Sequence, residues 1–264
     1  VGRTPPRVPP RRRTQMQLQL QTWPDVETYL KSSDGIIMPI GSTEQHGPIG
    51  LIGTDALCAE IVARGVGERT GALVAPTINV GMAQHHLGFP GSMTLRPSTL
   101  IAVVGDMVTS LARHGFRRFF FVNGHGGNVA TVTAAFSEIY AATSLAGGSN
   151  TPGLRCRLKN WWECPGVGRL SKELYGRAEG SHATPSEVAL TWFGWPEAER
   201  HQKMVPEIAP NGAFTDAFDY RRNFPDGRIG SNPDLATREA GGRLFEAAVA
   251  DLAAEYREFA AARA

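Results

Sequence analysis

Beyond Met16 the chain alternates short apolar runs with stretches whose apolar residues recur every three or four positions. Gly35–Ile40 (Gly-Ile-Ile-Met-Pro-Ile) predicts a buried strand stopped by Gly41, and residues 73–78 predict a second, interrupted only by Pro76. Helical spacing runs from Asp55 to about residue 63. Pro97 and Ser98 open a helix with Leu100, Val104, Met107, Val108 and Leu111 on one face, and Gly115 ends it. Phe119 to Val122 make an apolar strand, and Asn128 is placed to cap a helix bearing Val129, Val132, Phe136 and Ile139. Residues 154–159 supply a further strand. Asp234 is placed to cap a long helix carrying Phe245, Val249, Leu252, Tyr256 and Phe259. This succession predicts an α/β fold, a mainly parallel sheet covered by helices on both faces. Residues 194–233, rich in Gly and Pro, break the pattern and read as a lid, an interface or a poorly ordered loop.

Charge changes the picture at one end only. The 264 residues hold 27 Lys and Arg against 25 Asp and Glu, for a formal charge of +2. Arg3, Arg7, Arg11, Arg12 and Arg13 crowd the acid-free residues 1–15, so the remainder, with 22 basic and 25 acidic groups, carries −3. With four prolines, residues 1–15 read as a disordered basic extension without chemistry, and residues 16–264 as a single domain. The extension lacks the aromatic interleaving that suits nucleic acid, and none is expected as a partner. No apolar run approaches the ~18–20 residues of a membrane span, and no secretory apolar segment is present, so a cytoplasmic location is expected. Cys58, Cys156 and Cys164 are odd in number and lack Cys-x-x-Cys spacing, which favours a reducing compartment.

In open parallel sheets, ligands bind beyond the carboxyl ends of the strands, and the reactive residues cluster there. After the first strand comes Gly-Ser-Thr-Glu44-Gln-His46-Gly-Pro, then Gly-Thr-Asp55 opening a helix. Glu44 and His46, two apart, project to one side of an extended or turning backbone. Asp55 lies where a helix N-terminus favours a carboxylate. Glu, His and Asp suit Zn²⁺, Mn²⁺ or Fe²⁺, although Glu-x-His alone is weak evidence. The second cluster, Asn-Gly-His125-Gly-Gly-Asn, follows the strand ending at Val122. Its glycines permit close backbone approach around a ligand. A phosphate cradle is the rival reading, but the Lys and Ser/Thr of a P-loop are missing. The third cluster is Glu179-Gly-Ser-His182-Ala-Thr-Pro-Ser-Glu187. Glu187 is either a metal ligand or the far member of a Thr184–Glu187 capping box. His182 is placed for general acid–base work. No Gly-x-Ser-x-Gly elbow occurs, which disfavours a serine hydrolase.

These segments, with His86-Leu-Gly-Phe-Pro-Gly, resemble the creatininase family, in order across residues 23–193. The resemblance implies a three-layer αβα sandwich and two divalent ions per subunit (Zn, Mn or Fe). It also implies hydrolysis of a non-peptide C–N or amide bond in a small molecule. By position Glu44 and His125 would bind one metal, His46 the other, and Asp55 both. His182 would carry the proton, with Glu179 close by. His86 is either a substrate contact or a plain loop residue, and Trp161 and Trp162 either pocket walls or core. The family suggests a homo-oligomer, often a hexamer. Creatininases carry a Glu two residues after the metal-binding His, where this chain has Gly127, and a Glu before the catalytic His, where it has Ser181. Creatinine itself is therefore not the expected substrate. Two other classes stay open: a mononuclear iron enzyme using oxygen, and a non-catalytic binding protein that kept the fold.

Overall fold

The computed structural model describes residues 16–145 and 153–262. The expected extension at residues 1–15 lies outside them. Four strands, β1 (Gly35–Ile40), β2 (Leu73–Val74), β3 (Arg118–Asn123) and β4 (Arg155–Asn160), pair in the order β2-β1-β3-β4, every pair parallel. Ile40 lies opposite Asn123, and Asn123 opposite Asn160, so three strands end level at one edge. The helices are α1 (Trp23–Leu30), α2 (Thr54–Thr70), α3 (Pro97–Arg113), α4 (Asn128–Leu145), α5 (Pro165–Tyr175), α6 (Pro185–Gly194), α7 (Ala217–Asn223) and α8 (Arg238–Ala261).

Alternating residues of the central strands point to opposite faces, and each face is buried under helices. Ile37, Phe120 and Val122 pack with residues of α2, α6 and α8, among them Val62, Leu190, Leu244 and Leu252. Ile36, Met38, Phe119 and Phe121 pack with Leu100, Val104 and Val108 of α3 and Val132, Phe136 and Ile139 of α4. This is the expected three-layer sandwich. Pro39 is tolerated inside β1 because its carbonyl, and hence its missing N–H, faces beyond the end of β2, where Ile78 N–H donates to that carbonyl at 3.0 Å. No helix among the described residues is long and apolar enough to cross a membrane.

Three local expectations change. The second strand stops at Val74, and only an isolated bridge from Ile40 to Ile78 continues it. Pro39 of β1 has no N–H to donate to the Ala75 carbonyl, just where the ladder would extend. The cap of α8 is Thr237, whose hydroxyl accepts from Ala240 N–H at 3.1 Å. Asp234 instead holds Gln202 N–H and His201, each at 3.0 Å. Asn128 ties loops together rather than capping: its Oδ1 accepts from Met82 N–H at 3.0 Å and its Nδ2 donates to the Gly41 carbonyl at 2.9 Å.

The aperiodic residues 194–233 fold over the carboxyl edge of the sheet. They are held by α7 and by Arg228, a fully buried side chain whose guanidinium donates to the Pro206, Glu207 and Ser231 carbonyls and to the Asp226 carboxylate. Buried carbonyls need donors, and one guanidinium supplies five N–H groups where no regular ladder exists. That is how a segment without periodicity is fixed.

Candidate metal centre

Two strand ends and two helix starts converge at the carboxyl edge. The loop leaving β1 carries Glu44 and His46, both buried, and the first turn of α2 carries Asp55. The loop leaving β3 carries His125, held by Asn123, whose Nδ2 donates to the His125 carbonyl at 2.7 Å. The first turn of α6 carries Glu187.

Asp55 stands between two imidazoles. Its Oδ1 is 3.0 Å from His46 Nε2 and its Oδ2 is 3.0 Å from His125 Nδ1. Glu44 Oε1 lies 3.3 Å from His125 Nδ1 and 3.0 Å from His86 Nε2, and Glu187 Oε1 lies 3.9 Å from His46 Nε2. Two sets of three ligand atoms, Glu44/Asp55/His125 and His46/Asp55/Glu187, each fit within 4.8 Å and share Asp55. Glu44, His46 and His182 form a third such set.

Three observations fit this cluster to cations. First, both oxygens of Glu44 and Oδ2 of Asp55 are buried with no aligned hydrogen-bond donor, despite the short contacts just given. Buried carboxylates left in that state are costly unless a cation completes them. Second, both histidines turn their outer nitrogen to a backbone carbonyl: His46 Nδ1 to Glu44 at 3.0 Å and His125 Nε2 to Met82 at 3.0 Å. This fixes the tautomer that leaves the inner nitrogen free as a ligand. Third, the fields are those of a cation site. Burial opposes charge on His46, yet Asp55 and Glu187 raise its pKa to about 10, and burial likewise opposes charge on His125, whose pKa Glu44 and Asp55 raise to about 9. Burial also opposes ionisation of Asp55, but the two imidazoles hold it well below the usual carboxylate range. Burial pushes Glu44 up, and Glu187 up to about 7.

Glu187 closes the expected capping box and also stands beside the cluster. Its Oε1 accepts from Thr184 N–H at 2.6 Å while Thr184 Oγ1 accepts from Glu187 N–H at 3.2 Å, a complete capping box. The same oxygen faces His46. No carboxylate fits at 127. A Cβ there would lie 2.4 Å from His125 Nε2 and 2.6 Å from the Met82 carbonyl, the pair that orients His125.

His182 is stacked on His86, ring centroids 4.4 Å apart, with Nδ1 4.0 Å from Glu44 Oε1. Burial and the neighbouring His86 and His46 hold it well below the ordinary imidazole range. His86 is buried, with Nε2 3.0 Å from Glu44 Oε1. Glu179 Oε1 accepts the Ser186 hydroxyl, Oε2 is buried without a partner, and burial pushes the carboxyl up to about 7. Two cavities meet at His125, Gly126, Ser181 and His182. One, of about 500 Å³, is walled by Trp161, Trp162, Lys172 and Glu179. The other, of about 520 Å³, is walled by His85, Phe214 and Tyr220. Trp161 both packs into the core and lines a cavity. Sequence reasoning missed Gln45, Phe214 and Tyr220. A glutamine carries no chemistry of its own, and the two aromatics lie in the stretch without periodicity.

Fold and site together define an α/β protein built round a buried His/carboxylate cluster of the kind that binds metal. The chain belongs to the creatininase family: the family model described as "Creatininase: Creatinine amidohydrolase" matches residues 19–256. It is 37% identical over 233 residues to the mycofactocin precursor peptide peptidase of Mycobacterium tuberculosis, covering 83% of each chain. It is 28% identical over 249 residues to the creatinine amidohydrolase of Pseudomonas putida, covering 90% of this chain and 94% of that one. A solved structure described as "Creatininase Mn" superposes with a TM-score of 0.78 at 25% identity, over 94% of this chain and 99% of the other.

Proposed function

We propose that this chain is a metal-dependent amidohydrolase acting on a C–N bond of a small molecule, such as a cyclic amide or formamide, other than a main-chain peptide bond. The observation that carries the reading is the convergence of partnerless Glu44 and Asp55 oxygens with the free inner nitrogens of His46 and His125. Glu44, Asp55 and His125 would hold one divalent ion, and His46, Asp55 and Glu187 a second, of Zn, Mn or Fe. When bound, such a pair supplies Lewis acidity, polarising the scissile carbonyl and lowering the pKa of water. Glu187 supplies the carboxylate that Gly127 cannot. His182, neutral and beside Glu44, takes a proton from water and returns it to the leaving nitrogen. Glu179, held up to about 7, is the reserve proton carrier in the cavity wall. His86, Trp161 and Trp162 bound the substrate, and the two cavities leave room for substituents on both sides of the bond. The proposal keeps a cytoplasmic homo-oligomer, such as a hexamer, with neither nucleic acid nor membrane as partner.

A peptide amide is the second reading, favoured by the 37% identity to a precursor peptide peptidase. One screen decides. Amides, formamides and short peptides are assayed with metal-reconstituted protein, with and without chelator and oxygen. Oxygen-independent, chelator-sensitive hydrolysis of a non-peptide amide is expected, and cleavage of peptides alone moves the assignment to the second reading. Oxygen consumption with one iron per chain would overturn both, and chelator-resistant ligand binding without turnover would leave a binding protein.

A further inference from the structure

Between Glu44 and His46 sits Gln45, a buried side chain that no ligand set uses. Its Oε1 accepts Gly47 N–H at 2.8 Å, which fixes the amide and turns Nε2 inward. There Nε2 meets the Gly227 carbonyl at 2.9 Å, His86 Nδ1 at 3.0 Å, His182 Nε2 at 2.9 Å and the Tyr220 hydroxyl at 3.3 Å. Four neighbours face two hydrogens. The Tyr220 hydroxyl donates its own hydrogen to Gly227, at 2.8 Å, and needs none from Gln45. The Gly227 carbonyl has two lone pairs, so beside the Tyr220 hydrogen it also accepts one of the two from Nε2, at 2.9 Å.

The second hydrogen goes to His86 Nδ1 or to His182 Nε2, and pairing decides which. His182 Nε2 has an alternative in the Gln45 backbone carbonyl, 2.9 Å away. Giving the hydrogen to His182 would strand both that carbonyl and His86 Nδ1 among the described residues. Giving it to His86 pairs both His86 Nδ1 and, through His182 Nε2–H, the Gln45 backbone carbonyl, and buried polar groups favour such pairing. We propose that Gln45 is a positioning residue that sets the tautomers of two site histidines. Its side chain holds His86 as the Nε2–H form, with that hydrogen on the Glu44 side. Its backbone carbonyl holds His182 as the Nε2–H form, with a bare Nδ1 turned to the cluster, 4.0 Å from Glu44 Oε1.

The catalytic consequence rests on the function proposed above. Nδ1 is then the atom of His182 that works. As water oxygen bonds to the carbonyl carbon, one water proton passes to Nδ1; as the C–N bond breaks, Nδ1 delivers it to the departing nitrogen. Nε2–H stays on the Gln45 carbonyl throughout. The fit admits only glycine at 227, where φ is +87° and a Cβ would lie 1.8 Å from Gln45 Oε1.

The test is imidazole nitrogen NMR on ¹⁵N-labelled, zinc-loaded protein, with signals assigned by His86→Gln and His182→Gln. Expected in the parent is hydrogen on Nε2 of both rings. Gln45→Glu is isosteric but has no hydrogen to give, so His86 Nδ1 acquires one and its signal moves. Zinc content stays the same, and turnover falls on the order of 10²–10⁴-fold. Three results overturn the proposal: Nδ1–H on His182 in the parent, an unmoved His86 signal in Gln45→Glu, or undiminished turnover despite a moved signal. If no amide is turned over at all, the functional reading fails while the tautomer assignment is still decided by the spectra.

Discussion

Glu179→Gln exposes what the site wall takes from the stability of the fold. Glu179 is mostly buried, holds the Ser186 hydroxyl with Oε1, and leaves Oε2 without a partner. Burial raises its carboxyl from 4.5 to about 7. The native state therefore grips this proton more tightly than the unfolded chain does. Stability from this group is present below 4.5 and is lost as pH rises towards 7, a loss of about 3 kcal/mol when complete. Gln is neutral at every pH and removes that dependence, while its NH₂ in the place of Oε2 costs about 1–2 kcal/mol at all pH. The diagnostic quantity is thus the pH dependence of the difference between variant and parent. Between about pH 5.5 and about pH 8.5 that difference shifts by about 2 kcal/mol in favour of Glu179→Gln. Urea unfolding of both proteins across this range, with chelator present to remove metal linkage, measures it. A flat difference, or one that favours the parent more at high pH, refutes a buried carboxyl with a partnerless Oε2.

Asp55→Ala removes the carboxylate shared by both ligand sets, so metal analysis finds neither ion; full occupancy would end the bridging assignment. His182→Ala keeps its metal and loses turnover on the order of 10²–10⁴-fold, whereas loss of metal would make His182 a ligand through the Glu44/His46/His182 set. Gly127→Ala drives a Cβ against His125 Nε2 and the Met82 carbonyl, so one ion is weakened more than the other in a competitive chelator titration; equal weakening would contradict it.

Much of the fold was legible because burial leaves periodic traces. β1, β3, α3 and α8 all lie where apolar spacing puts them, since each presents a face to one of two cores. Errors fell where a side chain had a non-local alternative: Asn128 bridges Met82 and Gly41, and Asp234 holds His201, so neither caps a helix. The ligand candidates were legible for a different reason, since His and carboxylates flanked by glycines at strand ends have few structural uses. Their convergence is a property of the sheet, whose parallel strands deliver every strand-to-helix loop to one edge. Gln45 and Tyr220 were hidden because their importance lies in hydrogen-bond geometry between segments up to 182 residues apart. The residue pattern of 194–233 carries no period because Arg228, not a ladder, satisfies its carbonyls.

The central claim is that two cations share Asp55. Elemental analysis of freshly purified protein, calibrated against protein concentration, tests it most directly. The account predicts two divalent ions per chain, both lost together on Asp55→Ala. One ion per chain that survives the Asp55 substitution would contradict it.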